Sequence, residues 1–229
     1  MANKEKSEFG GYPKKAVEFF RGIKENNNKA WFEQHKQDYI KYCVKPTWDL
    51  INAITDTARK IDPLFQTDPS KMISRIYRDV RFSRDKSPYK TRLWFSFKRS
   101  GAQWQDAPGY YFEIAHDSYG FGMGMYDPSK EVIQNFRKAI TERPDEFFKA
   151  ISFFSSKKNM FMLGGESYKR PPKENVDKKI LKWYMMKNIY FYYEKPVDNL
   201  LFSPGLADEV ARGYKILAPF YSYLWKIKA

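Results

Sequence analysis

Nineteen phenylalanines, seventeen tyrosines and six tryptophans make 18% of this 229-residue chain aromatic. Each such ring removes a large apolar area from water when buried, and so many left exposed would drive association. The chain must therefore build a large, ring-rich core. It is long enough to do so without covalent staples, because a domain of this size buries roughly 70% of the surface of its unfolded form. The sequence offers no such staples anyway. One cysteine (Cys43) and two histidines (His35, His116) assemble no zinc ribbon, disulfide framework or histidine-rich centre, and no metal or cofactor is expected. Cys43 reads as a small core residue, and His35, one turn after Trp31, as a packing partner. No apolar run approaches the ~20 residues of a membrane span. The first eight residues are polar and charged, unlike a secretory signal, so a cytoplasmic protein without a membrane partner is expected. Nothing in the composition fixes the oligomeric state.

The net charge of +14 is localised. Residues 71–100 contribute +8 and residues 157–187 contribute +6, which leaves the remainder neutral. Two cationic segments in an otherwise balanced chain suit phosphate-bearing ligands, nucleic acid among them, although a basic surface also serves solubility alone.

Periodicity predicts an α+β protein with a central antiparallel sheet flanked by N-terminal and C-terminal helices. Residues 1–10 read as a disordered polar lead and 11–229 as a single domain, with a helical part over 11–65 and a sheet-containing part over 71–229. Pro13 opens a first helix carrying Val17, Phe20 and Ile23. Asn28 caps a second, which runs past Trp31, Phe32, His35, Tyr39 and Tyr42 until Pro46 kinks or ends it. Leu50, Ile54, Ala58 and Ile61 stripe a third. From residue 71 the pattern changes to aromatic-rich alternation, which predicts strands over 93–98, 110–116 and 119–126. Helices are then expected from Asp127-Pro128 (Val132, Ile133, Phe136, Ile140), from Pro144, over 173–187 and over 206–226, with a strand over 189–193. Residues 73–82 fit either a helical stripe or a strand face. Their β-branched content, short length and flanking Pro69 and Pro88 favour a strand.

As a strand, that segment places Arg75, Tyr77, Asp79 and Arg81 on one face. Arginine suits bidentate recognition of phosphate or carboxylate and keeps its charge when partly buried. Asp79 is suited to hold one guanidinium while others stay available. Residues 83–89 read as a loop in which Asp85 caps backbone amides, Pro88 limits flexibility and Lys86 sits at the tip. Arg75, Arg78, Asp79, Arg81, Asp85, Lys86 and Tyr89 are the candidate ligand-binding residues. The plainer alternative is an internal ion-pair network without a ligand.

The same residues carry a resemblance. Arg75-x-x-Arg78-Asp79-x-Arg81-Phe82, followed by Asp85-Lys86 and Tyr89, resembles the hallmark of a bacterial family catalogued as domain of unknown function 2461. Asn26, Asn27, Trp31 and Phe32 resemble its early helix-turn-helix. Gly122, Gly124, Tyr126 and Pro128 resemble its glycine-rich strand and following helix start, with Met123 interrupting a denser glycine run. Lys169-Arg170-Pro171-Pro172 resembles its later basic turn. The resemblance implies a globular domain covering nearly the whole chain, and it implies no activity.

Two weaker signals remain. Gly120, Gly122 and Gly124 alternate on one strand face; they admit either a phosphate or the close approach of another element, and they lack the βαβ setting of a dinucleotide loop. Glu113 is a potential general base, particularly with Arg75 or Arg81 facing it. The functional expectation is a binder of phosphate-bearing ligands, nucleotide or nucleic acid. The alternative is an enzyme acting on a phosphorylated or carboxylated small molecule with Asp79, Lys86, Tyr89 or Glu113 as acid/base groups. No catalytic residue is assigned.

Overall fold

The computed structural model of the chain describes residues 9–101, 106–170 and 175–228. The lead expected over 1–10 lies, for residues 1–8, outside the described residues. Phe9 is buried, its ring edge-on to Tyr12. The helices are α1 (Lys14–Glu25), α2 (Lys29–Asp38), α3 (Lys45–Ile61), α4 (Pro69–Met72), α5 (Lys130–Glu142), α6 (Pro144–Ala150), α7 (Lys178–Tyr184) and α8 (Gly205–Lys228). The strands are β1 (Arg92–Phe97), β2 (Gly109–Ala115), β3 (Ser118–Met125), β4 (Met162–Gly164) and β5 (Ile189–Pro196), in one antiparallel sheet of order β1-β2-β3-β5-β4. The fold is α+β, with helices at both ends of the chain. No described helix is long and apolar enough to cross a membrane.

The chain clusters into two compact units. The first comprises Met1–Phe97, Tyr111–Phe121 and Glu194–Arg212. Within it, α1 buries Ala16, Val17, Phe19, Phe20 and Ile23 along one stripe, which is what holds so short a helix in place. The Asn28 side chain accepts the Trp31 N–H at 3.0 Å and caps α2. Pro46 does not stop the helical run. A π-helical turn, Tyr39–Val44, joins α2 to α3, and its wider ladder (Lys45 N–H to the Ile40 carbonyl) leaves Pro46 in the first turn of α3. A proline there forfeits no helical hydrogen bond. His35 stacks on Trp31 at 4.0 Å between centroids and Cys43 is buried. The core continues through Tyr12, Phe112, Phe95 and Phe97, with the Tyr12 hydroxyl 2.7 Å from Thr47 Oγ1.

The second unit comprises Lys98–Tyr110, Gly122–Tyr193 and Gly213–Ala229. Phe147 is its hub, in contact with Phe136, Trp183 and Tyr223 at 5.1–5.7 Å between centroids, and Phe191 gathers Phe153, Phe154 and Phe220. The edge-on pairs among these (Phe147 with Phe136 and Trp183, Phe191 with Phe153 and Phe220) add ≈ 0.5–1.5 kcal/mol each beyond their buried area. Ser129 caps α5. α7 is shorter than the helix expected over 173–187, of which residues 173 and 174 lie outside the described residues. The Asp177 side chain accepts the Lys179 N–H at 2.8 Å and fixes the start of α7 there.

Candidate functional site

The arginine-dense segment is not a strand. Residues 73–82 touch their neighbours through isolated antiparallel bridges at Ile73–Phe95 and Tyr77–Tyr89. Backbone hydrogen bonds join Ser74 N–H to the Trp94 carbonyl (2.8 Å), Arg78 N–H to the Pro88 carbonyl (2.9 Å) and Lys90 N–H to the Ile76 carbonyl (2.7 Å). Pro88 supplies no amide hydrogen, so a continuous ladder cannot form across it. The side-chain alternation survives nonetheless. Ser74 and Ile76 are buried and Arg78 and Val80 half-buried, while Arg75, Tyr77, Asp79 and Arg81 are exposed. The face read from the sequence exists, on an extended arm.

The base of this arm is clasped to the turn between α1 and α2. Asn27 donates from Nδ2 to the Tyr89 carbonyl (2.9 Å) and accepts the Tyr89 N–H on Oδ1 (3.0 Å). The Tyr89 ring, 2% exposed, stacks on Phe32 at 4.4 Å and touches Tyr77 at 5.3 Å. Burial pushes its phenol pKa up. Tyr89 thus anchors the arm, and its ring faces the core.

Beyond Tyr89 the loop satisfies much of its own charge. Asp79 accepts from Arg81 at Nε (2.9 Å) and Nη2 (2.6 Å), which holds its carboxyl down to about 2 and raises the guanidinium. Asp85 accepts the Ser87 hydroxyl (2.5 Å) and N–H (2.9 Å) and pairs with Arg78; these contacts hold it well below the usual carboxylate range. Lys86 folds back to donate to the Val80 carbonyl at 2.9 Å. Arg75 and Arg84 are exposed and form no carboxylate ion pair within 4.0 Å among the described residues, although Arg75 is near enough to help lower the Asp79 carboxyl. At the tip Phe82 is 95% exposed, with the Arg81 guanidinium 5.8 Å from its ring centroid.

The pair Asp79–Arg81 gives a direct pH test. Its carboxyl is depressed in the folded protein, so the contribution to stability is present above the unfolded value of 3.8 and lost as pH falls through about 2. Carboxyl-carbon NMR titration is expected to place Asp79 near that low value, and Arg81→Ala to return it to the ordinary range. An Asp79 that titrates ordinarily in the intact protein contradicts the pairing.

The proposed acid/base groups do not meet in one constellation. Asp79 and Lys86 are engaged within the loop and Tyr89 is packed. Glu113, half-buried on β2, faces Arg92 at 2.8 Å, not Arg75 or Arg81. Burial raises the Glu113 carboxyl pKa against the pull of Arg92, and Glu194 adds to the rise. Gly124 lies so close to the Ile189 carbonyl and Tyr190 that a Cβ there would collide with both. Close approach, rather than an opening, is what this glycine provides. Sequence reasoning gave no role to Asn27 or Arg84 and none of its own to Phe82. Arg84 and Phe82 lay inside a segment singled out by charge, but nothing local ties Asn27 to a residue 62 positions away. No group of three or more His, Cys, Asp or Glu able to hold a metal occurs among the described residues.

The family model described as "Conserved hypothetical protein (DUF2461)" matches residues 15–223. The chain belongs to this family. No curated protein matches it. The DUF2461 match spans the α1–α2 turn, the arm and β3 together, so the clasp between Asn27 and Tyr89 and the packing of Gly124 both fall inside it. Of the basic turn 169–172, Lys169 and Arg170 are described and exposed, whereas Pro171 and Pro172 lie outside the described residues.

Proposed function

We propose that the protein binds single-stranded nucleic acid through the exposed arm between Arg75 and Lys86. One observation carries the reading: Phe82 stands almost wholly in solvent among exposed Arg81, Arg84 and Lys86. An apolar ring left in water costs free energy and repays it by stacking on a base, and the surrounding cations meet the backbone phosphates. Tyr77, 56% exposed beside Arg75, is a second exposed ring of the arm. Arg78 and Asp85, Arg81 and Asp79 hold the loop in shape, and the arginines keep spare N–H groups for phosphate oxygens. A second reading rests on Glu113, whose raised pKa suits a proton donor or acceptor on a phosphorylated or carboxylated small molecule.

Fluorescence anisotropy with short labelled RNA and DNA strands tests the first reading. About four phosphate contacts predict a log–log salt slope near −3 for single strands. Phe82→Ala is expected to weaken binding by about one stacked base, ~1–3 kcal/mol, and Arg84→Ala to flatten the salt slope, both at unchanged melting temperature. Absence of binding at low salt, or binding indifferent to both substitutions, sinks the reading.

A further inference from the structure

The second basic segment serves a different architecture. A cavity of about 560 Å³ lies within the second unit, between α5, the end of α7 and residues 168–170. That is within the range of small-molecule sites and larger than a bare phosphate ion requires. Its lining holds three cations, Arg137, Lys138 and Arg170, and one carboxylate, Glu142, which lies 4.0 Å from Lys138.

Arg137 is the organising group. Its Nε donates to the Tyr184 carbonyl at 2.8 Å, and its guanidinium carbon lies 4.9 Å and 5.2 Å from the ring centroids of Tyr168 and Tyr184. The hydrogen bond and the two rings fix the guanidinium plane before any ligand arrives. No carboxylate pairs with Arg137 or with Arg170 among the described residues. Among the described residues the cavity's lining therefore carries two positive charges in excess. Nearby, Lys187 stands over Tyr168 but is matched by Glu166 at 3.1 Å and adds no net charge.

We propose that this cavity binds the phosphate group of a small phosphate monoester. Such a group carries about −1.5 to −2 at pH 7, which matches the two unbalanced cations, and its planar sets of oxygens suit a pre-set guanidinium fork. The volume left over accommodates the organic part, with the Gln134 amide and the Glu142 carboxylate available to its hydroxyls. The site uses no residue of the arm and stands or falls independently of nucleic-acid binding.

Calorimetric titration of the full chain with ribose 5-phosphate is the test, with succinate as the carboxylate comparison. Saturable ribose 5-phosphate binding is expected. Arg170→Ala and Arg137→Lys should each weaken it by at least about tenfold, the second because lysine keeps the charge but loses the fork. Arg170 is exposed, so its variant is expected to melt as the parent does, and it keeps the test valid where Arg137→Lys destabilises α7. No saturable binding across the millimolar range, binding that survives Arg170→Ala, or succinate binding as tightly as ribose 5-phosphate each overturns the proposal.

Discussion

Tyr89→Ala is expected to destabilise the protein by about 3–5 kcal/mol, whereas Tyr89→Phe stays within about 0.5 kcal/mol of the parent. The asymmetry follows from where the side chain sits. Its ring is 2% exposed and stacked on Phe32, so truncation removes a buried aromatic and leaves a void that the clasp from Asn27 prevents from collapsing. Cavities that cannot relax are the costly ones. Among the described residues the hydroxyl makes no hydrogen bond that the phenylalanine variant would lose. Melting by circular dichroism and urea denaturation read both variants. An acid/base role for Tyr89 predicts the reverse: the phenylalanine variant would be inert and the phenol indispensable. The expected result for oligonucleotide binding is retention in Tyr89→Phe and loss in Tyr89→Ala, since the arm bearing Phe82 and Arg84 is rooted at this ring.

The contrast between the sheet and the arm explains what a sequence discloses here. β1, β2 and β3 each sustain apolar alternation over six residues or more, with Leu93, Phe95 and Phe97, then Phe112 and Ile114, then Tyr119, Phe121, Met123 and Met125 turned inward. A period held that long has one explanation, and the strands fell within a residue or two of their expected ends. The helices were legible for the same reason, their stripes being bounded by Asn28 and Pro144, although α5 starts after the Ser129 cap and not at the expected Asp127-Pro128. The arm was not. Residues 73–82 satisfied both periods because their backbone makes only a few tertiary hydrogen bonds and no regular ladder dictates their spacing. β4 has three residues, too few to show any period. Pro46 marks the start of α3 and not a gap in the helical run, because proline forbids a helix interior but not a helix start and the π-helical turn places it there.

Sites obey a different logic. The residues of the arm were found because charge is visible locally: ten cations in thirty residues stand out whatever the fold does. Their partnerships were only half legible. Asp79 with Arg81 follows from a spacing of two on one face, but Asn27 with Tyr89 and Arg137 with Tyr184 join residues 62 and 47 positions apart. Such contacts exist only once the core has placed the helices, so no local pattern announces them. The cavity around Arg137 was invisible for that reason, although its Arg170 belongs to a segment whose excess charge was plain.

Gly124→Val is expected to be among the most damaging single changes in the chain, at about 3 kcal/mol. The atoms a Cβ would strike are the Ile189 carbonyl oxygen and the Tyr190 Cα, backbone atoms of β5 that cannot swing aside as a side chain can. Relief requires moving β5 away from β3, which sacrifices ladder hydrogen bonds and the burial of Ile189 and Phe191 beneath them. Valine adds two methyl groups to a position already overfilled by one carbon. Gly10→Ala is the control, because a Cβ there meets nothing within 4 Å, and a change within about 0.5 kcal/mol is expected. Denaturation of both variants in the absence of any ligand separates the two roles open to the glycine series. A glycine kept for phosphate access leaves the apo protein's stability intact when replaced. A glycine kept so that Tyr190 can lie against β3 loses it at once, and a Gly124→Val variant as stable as the parent would refute that packing role.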